Sequence, residues 1–144
     1  MDLVKFKHNK YIVNNSEELT LKYKGTKGTK FSEVLIFEIK KPDIKFNVHI
    51  KAVLFDDAIF EVEAILKVLK GATQSNTYVK IDCLIMSEKV QTKIIPSLEI
   101  LEDAVKSGHG ATISTLDEEQ VYYLASRGLT RSQAEKLIID GFLS

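Results

Sequence analysis

Five successive even-numbered positions, Phe60, Val62, Ala64, Leu66 and Val68, are apolar, while Glu61, Glu63 and Lys67 stand between them. Successive side chains of a strand point to opposite faces, so this alternation predicts a strand with one buried face. Ile59, Val62, Leu66 and Leu69 also lie at helical spacing, but the unbroken period of two favours the strand. Its neighbours read the same way. Val34–Ile39 is a short apolar run rich in β-formers, and Phe46, Val48 and Ile50 alternate with Lys45, Asn47 and His49. Residues 71–76 form a turn, and Tyr78–Met86 is another apolar strand. Lys93–Ile100 follows with Pro96 inside it, which places that segment at a sheet edge or a bend because proline cannot donate to the ladder. Strands at about ten-residue spacing fit a sandwich, a barrel or a solenoid, and no crisp repeat chooses among them.

The texture changes after Ser114. Leu116-Asp117-Glu118-Glu119-Gln120-Val121 reads as a helix start: Asp117 as cap, Gln120 as box partner, Leu116 stapling onto Val121. Glu118 and Glu119 suit the positive end of the helix dipole, and Gly128 supplies a stop. Thr130 then caps a second helix with Gln133 as box partner, predicted to run to about Asp140 with Gly141 past its end. Val121, Leu124 and Ala125 on one arm and Ala134, Leu137 and Ile138 on the other make the expected inner faces, with Phe142 and Leu143 available to seal them. The expectation is thus a β core over residues 1–114 and a helical hairpin over 115–144.

A chain of 144 residues with 44% hydrophobic content suits one domain with a real core. No apolar run approaches the roughly 18–20 residues that span a bilayer, and the start has no signal-peptide layout. Cys83 is the lone cysteine, so no internal disulfide forms, and a reducing, cytoplasmic setting is expected. Net charge is zero but uneven: residues 1–51 carry 11 lysines against six acids, and the rest of the chain balances this. Those lysines are mostly single and interleaved with Thr, Gly and apolar residues, the pattern of solvated strand faces, so neither nucleic acid nor a membrane is the expected partner.

Residues 96–143 carry a series of motifs in fixed order. These are Pro96-Ser97-Leu98-Glu99-Ile100, an acidic turn, His109-Gly110-Ala111-Thr112, Leu116 to Gln120, Tyr123 to Gly128, and Gly141 to Leu143. In this order and spacing the chain resembles the SufB/SufD family of iron–sulfur cluster assembly proteins, and SufD more than SufB. Residues 53–58 and 71–74 are similar to the preceding turns of that family, and residues 1 to about 50 are compatible with it. The resemblance implies a short right-handed parallel β-helix followed by a helical region, mainly β overall. It implies a non-enzymatic subunit that acts with a SufB-like subunit and a SufC-like ABC-type ATPase. The open ends and edges of a short solenoid invite pairing, so a dimer, with such a partner or with a second copy, is expected. The resemblance also implies a transient iron–sulfur cluster or iron at a subunit interface, with nothing held tightly by this chain alone.

His109 matches a histidine of SufD-like members implicated in cluster assembly, and neutral imidazole ligates iron. Its flanking glycines are expected to keep the ring accessible. The alternative is a polar strand-edge histidine without metal. Three departures bear on this. Ser107 stands where SufD proteins often place cysteine, Gly110 where SufB proteins have glutamate, and Ile81 where SufB places its upstream cysteine. Cys83 lies on the same strand face as Ile81 and is a weaker ligand candidate; in an apolar run it reads first as an inert core thiol. On the hairpin, Tyr122, Arg131 and Lys136 are the candidate contacts for the ATPase.

Glu99, Glu102 and Asp103 read as a solvated acidic turn. Lys24–Lys30 lacks the spacing of a phosphate loop. Ser107 and His109 share a face without a third group to complete a triad. Two further function classes stay open. One is a stand-alone SufD-like module that regulates or sequesters the ATPase without cluster chemistry. The other is a β-helix enzyme acting on polysaccharide, against which stands the lack of paired carboxylates at interpretable spacing.

Overall fold

The computed structural model describes residues 1–6 and 9–144. Eight strands come first: β1 (Lys10–Val13), β2 (Glu17–Gly25), β3 (Lys30–Ile39), β4 (Lys45–Leu54), β5 (Ile59–Val68), β6 (Asn76–Ile85), β7 (Gln91–Ile100) and β8 (Lys106–Thr115). Two helices follow, α1 (Glu118–Ser126) and α2 (Arg131–Leu143). All strand pairs are parallel, and consecutive strands belong to different sheets: one sheet runs β1-β3-β5-β7 and the other β2-β4-β6-β8. Each coil thus contributes one strand to each sheet. This is a parallel β-solenoid, which decides among the three β architectures that strand spacing leaves open. Among the described residues no helix is long and apolar enough to cross a membrane.

Lys30 lies beside Ile59 and Ile59 beside Gln91, so one coil takes 29 residues and the next 32. Polarity, not identity, is what repeats: Phe37, Leu66 and Leu98 stack in one column, and Ile50, Ile81 and Ala111 in another. That is why no repeat shows in the letters. Inside β5 the even positions are buried and the odd ones half-buried, as alternation predicts. Phe37, Phe46, Phe60, Ile50, Leu66 and Ile81 fill the space between the sheets. Phe60 stacks on both Tyr23 and Phe31, at 5.0 and 5.4 Å between ring centroids.

The corners need backbone that turns sharply. Gly28, Asp43, Asp56, Gly71 and Gln74 all have positive φ there, and Ala58 and Ala72 are small enough to be fully buried beside them. Pro96 lies in β7, which among the described residues pairs with β5 alone, so the edge placement expected from the missing N–H holds.

The two ends of the stack differ. At the first coil, a 3-10 turn at Leu3–Lys5 brings Leu3 and Phe6 into the core, with the Phe6 ring 5.9 Å from Phe37. At the last coil nothing of this kind happens. Ile100 and Ile113, which continue the inward columns of Val68 and Cys83, remain 42% and 52% exposed.

The hairpin does not cover that end. It packs on the outer face of the second sheet, where Ile139 meets Val53 and Leu84, flanked by Phe55, Met86, Phe142 and Leu143. Lys51 Nζ donates to the backbone oxygen of Ser144 at 2.6 Å and ties the chain to the same flank. Asp117 and Thr130 cap as expected, and the reciprocal box forms in α2 between Thr130 and Gln133. Three expectations need correction. Asp117 accepts from the Glu119 N–H without a return bond from Gln120. α2 continues through Gly141 to Leu143, because Phe142 and Leu143 pack on the sheet and hold the last turn. The buried anchor is Ile139, while Leu137 is 53% exposed and Ala125 is on the surface, since α2 faces the sheet as well as α1.

Two kinds of packing give two expected losses. Phe60→Ala should lower global stability by about 3–5 kcal/mol. Ile139→Ala should instead loosen residues 117–143 selectively, seen as faster amide exchange there with little change in β4 and β5. Equal acceleration everywhere would mean that the hairpin and the stack unfold as one unit.

Candidate functional site

Among the described residues β8 ends the second sheet and pairs with β6 alone. His109 stands beside Val79 in this ladder, and Val79 is fully buried between the sheets. His109 therefore belongs to an inward-facing column and is exposed only because no further coil covers it. Its glycine neighbours face the opposite side, where the Tyr78 ring lies 3.0 Å from a Cβ built on Gly108. The expectation that the glycines keep the imidazole accessible is thus corrected: the strand's terminal position does so. Ser107 shares the inward face as expected, and its hydroxyl is hydrogen-bonded to that of Thr77 at 2.8 Å.

Cys83 faces inward too, beside Ile113, and is fully buried. Burial pushes its thiol up to about 11, against a weak opposing contact from Thr92 and with some help from the Asp82 charge. A thiol in that state is protonated at neutral pH and a poor ligand. Val79 and Cys83 are four residues apart on β6, about 13 Å at the usual strand rise, so His109 and Cys83 do not share an ion. Among the described residues no three His, Cys, Asp or Glu side chains gather as a metal site. The acidic turn is engaged locally: Glu102 accepts from the Gly71 N–H at 3.1 Å, and Glu99 lies 4.0 Å from Lys67 Nζ.

The outer face of the second sheet holds a cluster that the strand pattern did not announce. Asp82 on β6 is buried and links three strands. His49 Nε2 of β4 donates to Oδ2 at 2.6 Å, Thr112 Oγ1 of β8 donates to Oδ1 at 2.6 Å, and Lys80 Nζ lies 3.3 Å from Oδ2. Burial alone would raise the Asp82 carboxyl, but the bonds from Thr112, His49 and Lys80 together outweigh it and hold the group below its ordinary value. The one available signal was a lone acid inside the apolar run Val79–Met86.

On the hairpin, Tyr122 is 78% exposed. Arg131 is already engaged: NH1 and NH2 donate to the two Glu118 carboxylate oxygens at 3.0 and 2.8 Å, and Nε donates to Glu135 at 3.0 Å. This fork holds α2 to the start of α1, so Arg131 is a strut of the hairpin. Lys136 pairs with Asp140 one turn on, at 2.7 Å, and its stem stays exposed. Between hairpin and sheet runs a groove of about 710 Å³, walled by Leu84, Tyr123, Leu124, Leu137, Ile138 and Phe142.

The fold is thus a parallel coil stack with one uncovered end, a histidine on that end and a two-helix appendage. Residues 13–142 match the family model described as SUF system FeS cluster assembly, SufBD core domain. The chain belongs to the SufBD core domain family of iron–sulfur cluster assembly. It is 39% identical over 92 residues to the iron–sulfur cluster assembly protein SufD of Bacillus subtilis, covering 64% of this chain and 21% of that protein. It is 32% identical over 92 residues to SufD of Escherichia coli, covering 64% of this chain and 22% of the relative. With an iron–sulfur cluster assembly SufBD family protein of Mycobacterium tuberculosis it shares 34% identity over 102 residues, 71% of this chain and 12% of the relative. The chain thus matches only a small part of the length of these relatives.

Two outcomes follow from the site's chemistry. Cys83 should react slowly with thiol reagents in the native protein, and Cys83→Ser should cost about 1–3 kcal/mol by placing a hydroxyl among apolar groups. Fast native labelling would contradict the burial. Asp82→Asn should cost about 1–3 kcal/mol at neutral pH. The Asp82 carboxyl is lowered on folding, so its contribution is present above its unfolded value of 3.8 and lost as pH falls through the folded value. Urea melts across that range should show a shallower acid-side decline for Asp82→Asn than for the parent chain, and matching slopes would remove Asp82 from the account.

Proposed function

We propose that this chain acts as a non-enzymatic, SufD-like subunit of iron–sulfur cluster assembly, working with a SufB-like subunit and a SufC-like ABC-type ATPase. The observation that carries this reading is the uncovered last coil. It presents two strand edges, β7 and β8, with inward columns ending in Ile100 and Ile113 and with His109 among them. Unpaired edges beside exposed apolar columns are surfaces that another chain covers. The partner is a SufB-like subunit or a second copy.

The cluster is cargo on this reading, passing through the interface. His109 supplies one imidazole ligand, and with Cys83 buried four ladder positions away on β6 the remaining ligands come from the partner's face. The hairpin is the docking site for the ATPase, with Tyr122 and Lys136 as contacts and Arg131 keeping the two helices in register. A second reading, a module that sequesters the ATPase without cluster chemistry, is favoured by one fact. Ser107 stands at the position where a thiol is expected, and it is tied to Thr77.

The test is anaerobic co-expression with SufB-like and SufC-like partners. His109→Ala should leave the melting temperature unchanged, since an exposed side chain packs little, and should lower the iron–sulfur yield severalfold. An unchanged yield with an intact complex would favour the sequestering module. Tyr122→Ala with Lys136→Ala should weaken ATPase binding by about 2 kcal/mol or more without changing stability. Full binding by that double variant would place the ATPase elsewhere.

A further inference from the structure

Gly108 and Gly110 flank His109 but belong to the other face of β8. Neither has positive φ, so backbone freedom is not what their positions require. Space is. A Cβ on Gly108 would stand 3.0 Å from two carbons on one edge of the Tyr78 ring, and a Cβ on Gly110 would stand 2.7 Å from the Tyr78 hydroxyl. Tyr78 is on β6, directly beside Gly108 in the ladder, and its side chain runs along β8 from one glycine to the other. The ring thus occupies the room of two missing side chains, an aromatic laid over a glycine strip. Tyr78 remains 39% exposed, so it covers the strand without being part of the interior.

We infer that Tyr78 is a positioning residue for His109: its ring, packed across Gly108 and Gly110, sets the seating of the terminal strand β8 and thereby of the imidazole on its opposite face. The inference rests on the reading of the open coil as the working surface. Side-chain bonds fasten β8 on either side of this point, Ser107 to Thr77 at 2.8 Å and Thr112 to Asp82 at 2.6 Å. Across 108–110 the glycines offer no side chain, and β8 has a single ladder neighbour. At that level Tyr78 presses the strand from outside while the inward face is open.

The geometry makes a specific substitution cycle informative. Gly110→Ala puts a methyl group 2.7 Å from the Tyr78 hydroxyl, whereas the next ring atom is 3.6 Å away, ordinary contact. Tyr78→Phe removes only the clashing oxygen. Amide exchange of residues 106–115 and the His109 imidazole NMR signal report strand and ring together. Tyr78→Ala should speed exchange in 106–115 roughly tenfold and broaden the His109 signal, with β4 and β5 unaffected. Gly110→Ala should do the same, Tyr78→Phe should match the parent chain, and Tyr78→Phe with Gly110→Ala should restore it. Exchange within about twofold of the parent in Tyr78→Ala overturns the inference. So does equal acceleration throughout the stack, or a Gly110→Ala effect that persists with Phe at position 78. The reading of the open coil is tested separately by the parent chain's binding to a SufB-like subunit; failure there leaves the exchange result standing for the strand alone.

Discussion

Parallel pairing at a separation of about thirty residues is the constraint on which everything else in this molecule depends. A strand paired in parallel needs a long return path, and here the return path is itself a strand of the opposite sheet. Each residue is thereby placed over its counterpart one coil away, and like stacks on like: Phe31 on Phe60, Phe37 on Leu66, Ile50 on Ile81. Every coil buries its neighbours on both sides except the first and the last, and the stack's ends are where the interaction runs out. Leu3 and Phe6 fill one end. The other end keeps its ladder groups and apolar columns open, so the same repetition that builds the core also builds the surface on which the functional reading rests.

Charge on the outer faces follows the same ladder. Glu38 is 2% exposed, with Lys10 Nζ at 2.8 Å from the strand beside it and Lys40 Nζ at 3.0 Å just along the chain. The hydrogen bond from Lys10 is the largest influence, and despite burial the carboxyl lies below its ordinary value. Asp82 does the corresponding work in the second sheet. Such groups contribute through position more than through net attraction: a buried charge stripped of all its partners costs far more than the pairing gains. They favour one register between neighbouring strands, which columns of Val, Ile and Leu alone leave degenerate under a two-residue slip.

Strands were legible wherever one face is buried and the other wet, as in β5, because alternation is a local property of the letters. Helix caps were legible for the same reason: Asp117 and Thr130 act on N–H groups two or three residues away. What lies about thirty residues apart was not legible, since no local signal says that Tyr78 meets Gly108 or that Asp82 meets both His49 and Thr112. The glycines around His109 show the cost of local reading. They suggest freedom for the histidine, whereas they serve a tyrosine from the preceding coil. Leu137 and Ile139 show a second limit. Helical spacing identifies an apolar stripe, but which residue of it is buried depends on where the helix lands, and α2 lands on Val53 and Leu84.

That landing point matters for how partners can be accommodated. Had the hairpin closed the last coil, its own packing would have competed with any chain that pairs with β7 and β8. Ile139, Phe142 and Leu143 anchor it instead on residues of β4 and β6 whose side chains point away from the interior. The coil end is formed by β7 and β8, while the hairpin packs on the outer face of the second sheet, with Ser114 and Thr115 of β8 bordering the groove beneath it. Tyr122 and Lys136 stay exposed on the hairpin, and His109, Ile100 and Ile113 stay exposed on the coil. On the proposed reading the two partners would meet two different kinds of surface, one a strand edge set by ladder register and the other a helical pair fastened by the Arg131–Glu118 fork.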